Sequence, residues 1–434
     1  LAVADAHFEA NRLADAEPMY RQLLKFPQAR VYPYAMYKLA WVLLNQHDAA
    51  GALDFFDKVV HATTAPDQAV LHRTAQQDYV RAYAAVGKVG LAQAAFNRLT
   101  PGKGFGMLVQ LADIYMGQGQ FDKAIYAYRE LLAGVAAQPN GKSPYNACEW
   151  QANIVQATAA SGNVDTKVAE LTTLVQLSQA LQKAHRLPAA MLTECTETAS
   201  ALTNEAARQL HAEWAKTKGP RLRAHSATLY RLYLDAFPQT ADAGSTNFYY
   251  AELLWSDASE ERDAKQRSAR WEAAAQAYST CAAHPRASAQ QQQSCALIAT
   301  EAWQNVLATS PTVSRAAARP TSPMMLAAFD RYLALAAKTP PADPARVVDI
   351  KFAKADALRR SGDATAAIPI FRDILEHHSS HPTAEFAANL LLDIYNQAGR
   401  ETELVALNRQ LLRNTAFLQG KDDLAKRLRD NDII

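Results

Sequence analysis

Three stretches of the chain carry one four-point pattern at one spacing. They are Tyr83, Gly87, Ala92 and Phe96; Tyr115, Gly119, Ala124 and Tyr128; and Leu358, Gly362, Ala367 and Phe371. Each sets a bulky residue four before a glycine, an alanine five after it and an aromatic four further on. A recurring interval with a period in the thirties marks a repeat architecture and decides the fold before any other reading. Each unit of such a chain buries its apolar face only against its neighbours, so 434 residues need not divide into ordinary globular domains. With 49% hydrophobic residues the chain has ample material for a continuous core, and with 16 glycines and 19 prolines helix formers dominate. Nothing alternates with the period-two pattern of a strand for long enough to propose a sheet. The expected fold is all-α, a solenoid of stacked antiparallel helix hairpins.

The best copy spans residues 107–132, where Ala112 and Ala124 fall at the crossing of two helices and their short side chains let the backbones approach. Tyr115 and Tyr128 fill the space around that crossing, and Gly119 follows the first helix, where a left-handed conformation costs glycine nothing. With Phe121, these residues resemble the tetratricopeptide repeat, a helix–turn–helix of about 34 residues whose copies build a superhelix. Other units match less closely. A half-unit runs through Ala16, Tyr20 and Leu23 to Phe26 and Pro27; another holds Tyr37, Ala40, Leu43, Ala52 and Phe56, with Asn45, Gln46, His47 and Asp48 replacing the glycine turn. A weaker unit surrounds Gly162, and the signature fades into long helical segments over 167–218, broken by Pro188. It resumes at Tyr230–Pro238, which echoes Tyr20–Pro27, and a later unit with Ala251, Leu254, Ala274 and Tyr278 carries a charged insertion, 259–270, read as its turn. The sharp pattern returns at 355–374, and Tyr395 and Gly399 begin the last unit. Proline-rich breaks at 310–323 and 340–344 mark loops. The blocks expected are N-terminal repeats over 1–165, divergent helical repeats over 166–309 and C-terminal repeats over 324–434.

The resemblance implies that the first helix of each pair lines a concave inner face. Its register places Tyr34, Tyr37, Lys38 and Trp41 there in the second unit, Gln77, Asp78 and Arg81 in the third, and Gln110, Asp113 and Met116 in the fourth. Tyr and Trp bury much area with little rotamer loss and dominate binding hot spots, although aromatics at helical spacing also serve as packing residues. Family members that clamp a peptide's terminal carboxylate use lysine, asparagine and arginine at positions that here carry Tyr37, Trp41, Gln77 and Arg81. Only Arg81 suits that task, so the expected partners are extended or helical segments of other proteins. In the C-terminal block the inner face would present Asp349, Phe352, Asp356, Arg359 and Arg360.

Candidate chemistry is sparse. Lys plus Arg at 45 against Asp plus Glu at 43 leaves a net charge of +2, which argues against a polyanion-binding surface and hence against nucleic acid. No run approaches the roughly 18 apolar residues of a membrane helix. His377, His378 and His381 stand at a helix end where histidines complement the helix terminus, and no Cys or second histidine pair joins them at zinc spacing. Gly141, Lys142 and Ser143 resemble the tail of a phosphate loop, but the leading position is Ala136. Gly102, Gly104 and Gly106 follow a helix rather than a strand and read as an inter-repeat turn. No Gly-x-Ser-x-Gly or His-Glu-x-x-His occurs. The expectation is a non-enzymatic protein with no cofactor and no metal.

Four cysteines bear on compartment. Cys281 falls near the end of one helix and Cys295 near the start of the next, so a hairpin would bring them close; Cys148 and Cys195 form a second candidate pair. Paired, they imply an oxidising place such as a periplasm; as buried free thiols they leave a cytoplasmic protein. The opening at Leu1 without methionine reads as a processed or excised segment. The Phe-Pro phrase endings and the alanine and glutamine bias resemble exported bacterial repeat proteins. Such proteins serve outer-membrane assembly, the Tol-Pal system and gliding motility, which implies a scaffold in a cell-envelope assembly. The alternative is the helical superstructure of a peptidoglycan-acting enzyme, as in soluble lytic transglycosylases, with its catalytic domain outside this segment. A peptide-sensing regulator with an adjoining signalling or DNA-binding domain is a third reading.

Overall fold

A computed structural model describes residues 1–136, 147–160, 162–185, 187–309 and 322–431. Among the described residues every regular element is helical. The phosphate-loop-like Gly141, Lys142 and Ser143 and most of the 310–323 break lie outside the described residues; Pro323 opens the helix Pro323–Lys338. The chain forms two compact units, Leu1–Glu205 and Ala206–Ile434, with the division inside the long helix Ala189–Thr217.

The first unit stacks antiparallel hairpins. The pairs are Ala2–Glu9 with Leu13–Leu23, Tyr32–Asn45 with Ala49–Ala62, Ala69–Val86 with Ala92–Leu99, Gly104–Gly117 with Phe121–Ala136, and Ala147–Ala160 with Val164–Ala184. One core cluster runs from Ala4 to Ile154. At the crossing of the best copy Ala112, Ala124, Tyr115 and Tyr128 are all fully buried. Neither alanine methyl has exposed surface to expand into. Ala124→Leu should therefore cost about 1–3 kcal/mol by overpacking, while Leu at the exposed Ala133 of the same helix should change the urea midpoint little.

The first repeat is a complete hairpin rather than the half-unit its sequence suggests. Ala4 and Ala16 stand at the same spacing as Ala112 and Ala124, and all four are buried. The left-handed turn falls on Asn11, at φ 55°, where the best copy has Gly119 at φ 69°. Asparagine tolerates that region better than most residues, as does histidine, and His47 takes the same place in the second repeat at φ 68°. Gly87 fills the same motif position for a different reason. Its backbone is extended, and a Cβ would stand 2.2 Å from a ring carbon of Tyr83, which lies across it.

In the first and fourth hairpins a tyrosine also ties one helix to its partner. Tyr128 Oη donates to Asp113 Oδ1 at 2.9 Å, and Tyr20 Oη donates to Asp5 Oδ1 at 2.5 Å, both across 15 residues of sequence. Burial and then the neighbouring carboxylate push both phenols well above their ordinary range, so both stay protonated donors.

The second unit continues the pattern. Pairs Ala243–Glu260 with Ala264–Ala283, Ala289–Thr309 with Pro323–Lys338, Ala345–Arg360 with Ala364–His377, and Thr383–Gln397 with Glu401–Arg413 pack in order. The amphipathic helix Asp422–Asn431 then covers Glu401–Arg413 with Leu424 and Leu428. The charged run 259–270 is not a turn insertion. Helices Ala243–Glu260 and Ala264–Ala283 leave only residues 261–263 between them, so most of its charges stand on helix ends. Arg270 reaches Asp257 at 2.6 Å and Glu261 at 2.5 Å, and Arg223 also pairs with Asp257. These charges pair with one another instead of lengthening a loop.

Candidate partner-binding face

Helices Tyr32–Asn45, Ala69–Val86 and Gly104–Gly117 are the first members of three successive hairpins and pack against one another. Their apolar positions enter the core, which leaves one row of each helix to form a common face. In the second repeat that row begins with Tyr34, whose ring lies 6.5 Å from that of Tyr37. Lys38 extends its ammonium over Phe8, at 4.4 Å from the ring centroid, and toward Tyr34 at 5.6 Å.

Tyr37, Trp41, Asp78 and Arg81 form one network. Tyr37 Oη donates to Asp78 Oδ2 at 2.8 Å, and Trp41 Nε1 donates to the same oxygen at 3.0 Å. Asp78 is only 4% exposed, so its carboxylate is an internal acceptor and not a surface ligand. Arg81 remains exposed, with Nε 3.8 Å from Asp78 Oδ1 and its guanidinium 5.9 Å from the Trp41 ring centroid. Burial and then the Asp78 bond push the Tyr37 hydroxyl up to about 12, so it stays a donor across the physiological range. Beneath both aromatics lies Phe56, edge-on to Tyr37 at 5.9 Å and to Trp41 at 6.1 Å. The half-buried rings are thus fixed from below by packing and from the side by one carboxylate.

The remaining candidates are placed differently. Gln110 Nε2 donates to the Gln77 carbonyl at 3.0 Å, joining the third and fourth repeats. Asp113 accepts from Tyr128 in its own hairpin, and Met116 packs half-buried against the core. Two depressions open on this face. One of about 370 Å³ is lined by Tyr34, Tyr37, Val70, Leu71, Arg30 and Asp67 among others. The other, of about 550 Å³, is lined by Leu44, His47, Arg81, Ala85, Ile114 and Gln118. Sequence reasoning missed Val70, which is 73% exposed and the most exposed large apolar residue described. An apolar residue one position into a helix that starts beyond Pro66 was its only signal.

In the second unit Phe352 lies between Phe371, at 5.7 Å, and Phe386, at 6.5 Å. Asp356 accepts from Arg359 at 2.6 Å and from Arg360 at 2.7 Å, so those charges satisfy one another. Cys148 is joined to Cys195 and Cys281 to Cys295, with Cα–Cα separations of 5.5 and 5.9 Å. Among the described residues no helix is long and apolar enough to cross a membrane, and no three His, Cys, Asp or Glu side chains gather as a metal-binding group.

Residues 34–62 and 105–133 each match a family model described as tetratricopeptide repeat. Among solved structures, the C-terminal part of a TPR repeat-containing protein from Cytophaga hutchinsonii is 15% identical, covers 73% of this chain and 97% of its own, and gives a TM-score of 0.26. A structure of Naa15/Naa10 bound to HypK-THB is 12% identical, with 99% and 72% covered and a TM-score of 0.28. Yeast Tom70 is 12% identical, with 93% and 96% covered and a TM-score of 0.19. A comparison with curated proteins gives no match.

Proposed function

We propose that this chain, a tetratricopeptide repeat protein, is a non-catalytic scaffold that receives extended or helical segments of partner proteins on the face built by Tyr34, Tyr37, Trp41 and Arg81. The observation that carries this reading is the Asp78 network. It holds two half-buried aromatics and one exposed cation in fixed positions beside two open depressions. Rigid aromatic anchors lose little entropy on binding, which is what a hot spot requires. The face has no nucleophile with its base, and its one buried carboxylate is already occupied by donors. Two cysteine pairs favour an oxidising compartment, and with it a place in an exported, cell-envelope assembly.

Affinity capture with the whole chain tests the reading. Trp41→Ala is expected to lower recovery of its partners about tenfold or more, whereas Tyr126→Ala, on an exposed position of helix Phe121–Ala136, should leave recovery unchanged. Equal recovery with both variants rejects this face.

A further inference from the structure

The near balance of charge over the whole chain hides one uneven region. Residues 213–223 and 257–270 hold eight Lys and Arg against five Asp and Glu, an excess of three, where all 434 residues together carry +2. The fold gathers both stretches at one edge of the second unit. There helix Ala189–Thr217 ends, helix Pro220–Ala236 begins, and residues 261–263 join Ala243–Glu260 to Ala264–Ala283. Ion pairs tie these ends together, Lys218 to Glu260, and Arg223 and Arg270 to Asp257. The pairs occupy the carboxylates and leave cations over. Glu261 accepts from Arg270 and from the Asp263 backbone N–H, and Asp263 Oδ1 caps its helix by accepting the Gln266 N–H at 2.8 Å. Among the described residues, none of Lys216, Arg262 and Lys265, all exposed, has a carboxylate partner. Arg267, in the first turn of Ala264–Ala283, has its Nε buried without an acceptor. A desolvated donor left unpaired is costly.

We propose that this edge docks an acidic segment of a partner protein, at a site separate from the aromatic face of the first unit. The fold holds like charges together here, and incoming carboxylates relieve their repulsion. Arginine offers a planar fork of donors that matches a carboxylate, and Arg262 presents one in full exposure. Lys265 stands beside it at the positive end of a helix, where the dipole adds to the attraction for an anion. A membrane surface suits the edge less well. Proteins that lie on anionic bilayers bury apolar side chains in the interface as well as presenting cations. No described large apolar side chain between Tyr126 and Met324 is exposed, so the edge has charge and nothing to insert.

Fluorescence anisotropy of a labelled deca-glutamate peptide, titrated with the whole chain at low salt, tests the edge. The peptide is expected to bind, and added salt should weaken the complex because exposed charges are screened. Arg262→Glu combined with Lys265→Glu should weaken binding about tenfold or more, since like charges then face the peptide. That variant should keep its fold, because a glutamate in the first turn of Ala264–Ala283 suits the helix dipole. Lys25→Glu combined with Lys88→Glu changes the net charge equally at exposed positions of the first unit, and should leave binding unchanged. Failure of the peptide to bind, or equal loss in the two double variants, overturns the proposal. Vesicles of phosphatidylglycerol and phosphatidylcholine form the second arm. Tighter binding to them than to the peptide, lost on reversing Arg262 and Lys265, would assign the edge to a lipid surface and overturn it too.

Discussion

Replacing Cys148 and Cys195 together by alanine is expected to cost the first unit about 4 kcal/mol, the chain-entropy value for a bridge that closes 47 residues. The bridge joins helix Ala147–Ala160 to helix Ala189–Thr217 and bypasses Val164–Ala184 between them. Here the repeat motif is at its weakest: Thr158 and Lys167 stand where the best copy has Tyr115 and Ala124. Both the aromatic and the alanine of the motif are missing here, so a covalent tie matters more. The pair Cys281 and Cys295 closes only 14 residues between adjacent helices, and its removal should cost about 3 kcal/mol by the same reasoning. Urea midpoints of the two double variants should fall in that order. All four sulfurs are buried, so thiol reagents should find none until the chain is both unfolded and reduced. Four reactive thiols in the unfolded, unreduced chain would overturn the expected loss and remove the argument for an oxidising compartment.

The solenoid was legible because its determinants are local. A small residue at each crossing, an aromatic beside it and a left-handed residue after the first helix all lie within one repeat. The reading failed where a local cue was replaced by an equivalent of different type. Asn11 turns the chain as glycine does, so the first hairpin passed for a half-unit. The run 259–270 looked like a loop because charge usually marks solvent, whereas Asp257 and Glu261 neutralise Arg270 and Arg223 across helix ends. Register set Tyr37, Trp41, Asp78 and Arg81 in one expected row, and these four side chains do meet, but their wiring was not legible. Asp78 meets its two donors across 41 and 37 residues, a separation that no local pattern encodes. Its burial makes it a support for Tyr37 and Trp41, so on the proposed face the exposed charge is that of Arg81.

That wiring makes Phe56 the residue whose loss should be felt most widely. It is fully buried on helix Ala49–Ala62, and Tyr37 and Trp41 both rest edge-on against its ring. Phe56→Ala is expected to cost about 3–5 kcal/mol, the sum of lost transfer energy and an unfilled cavity. Phe56→Leu keeps most of the volume and should cost clearly less, yet it removes the edge contacts that orient both rings. The two variants therefore separate stability from recognition. If the face works as proposed, Phe56→Leu at a temperature where it remains folded should still weaken partner capture, because Tyr37 and Trp41 are no longer fixed against the Asp78 carboxylate. Tyr37→Phe supplies the complementary cut: it leaves the ring on Phe56 but deletes one of the two donors to a buried carboxylate, at a cost of about 1–3 kcal/mol. Full capture by folded Phe56→Leu and Tyr37→Phe alike would mean that the aromatic row serves packing alone, and that any partner of the first unit is held by surface outside the Asp78 network.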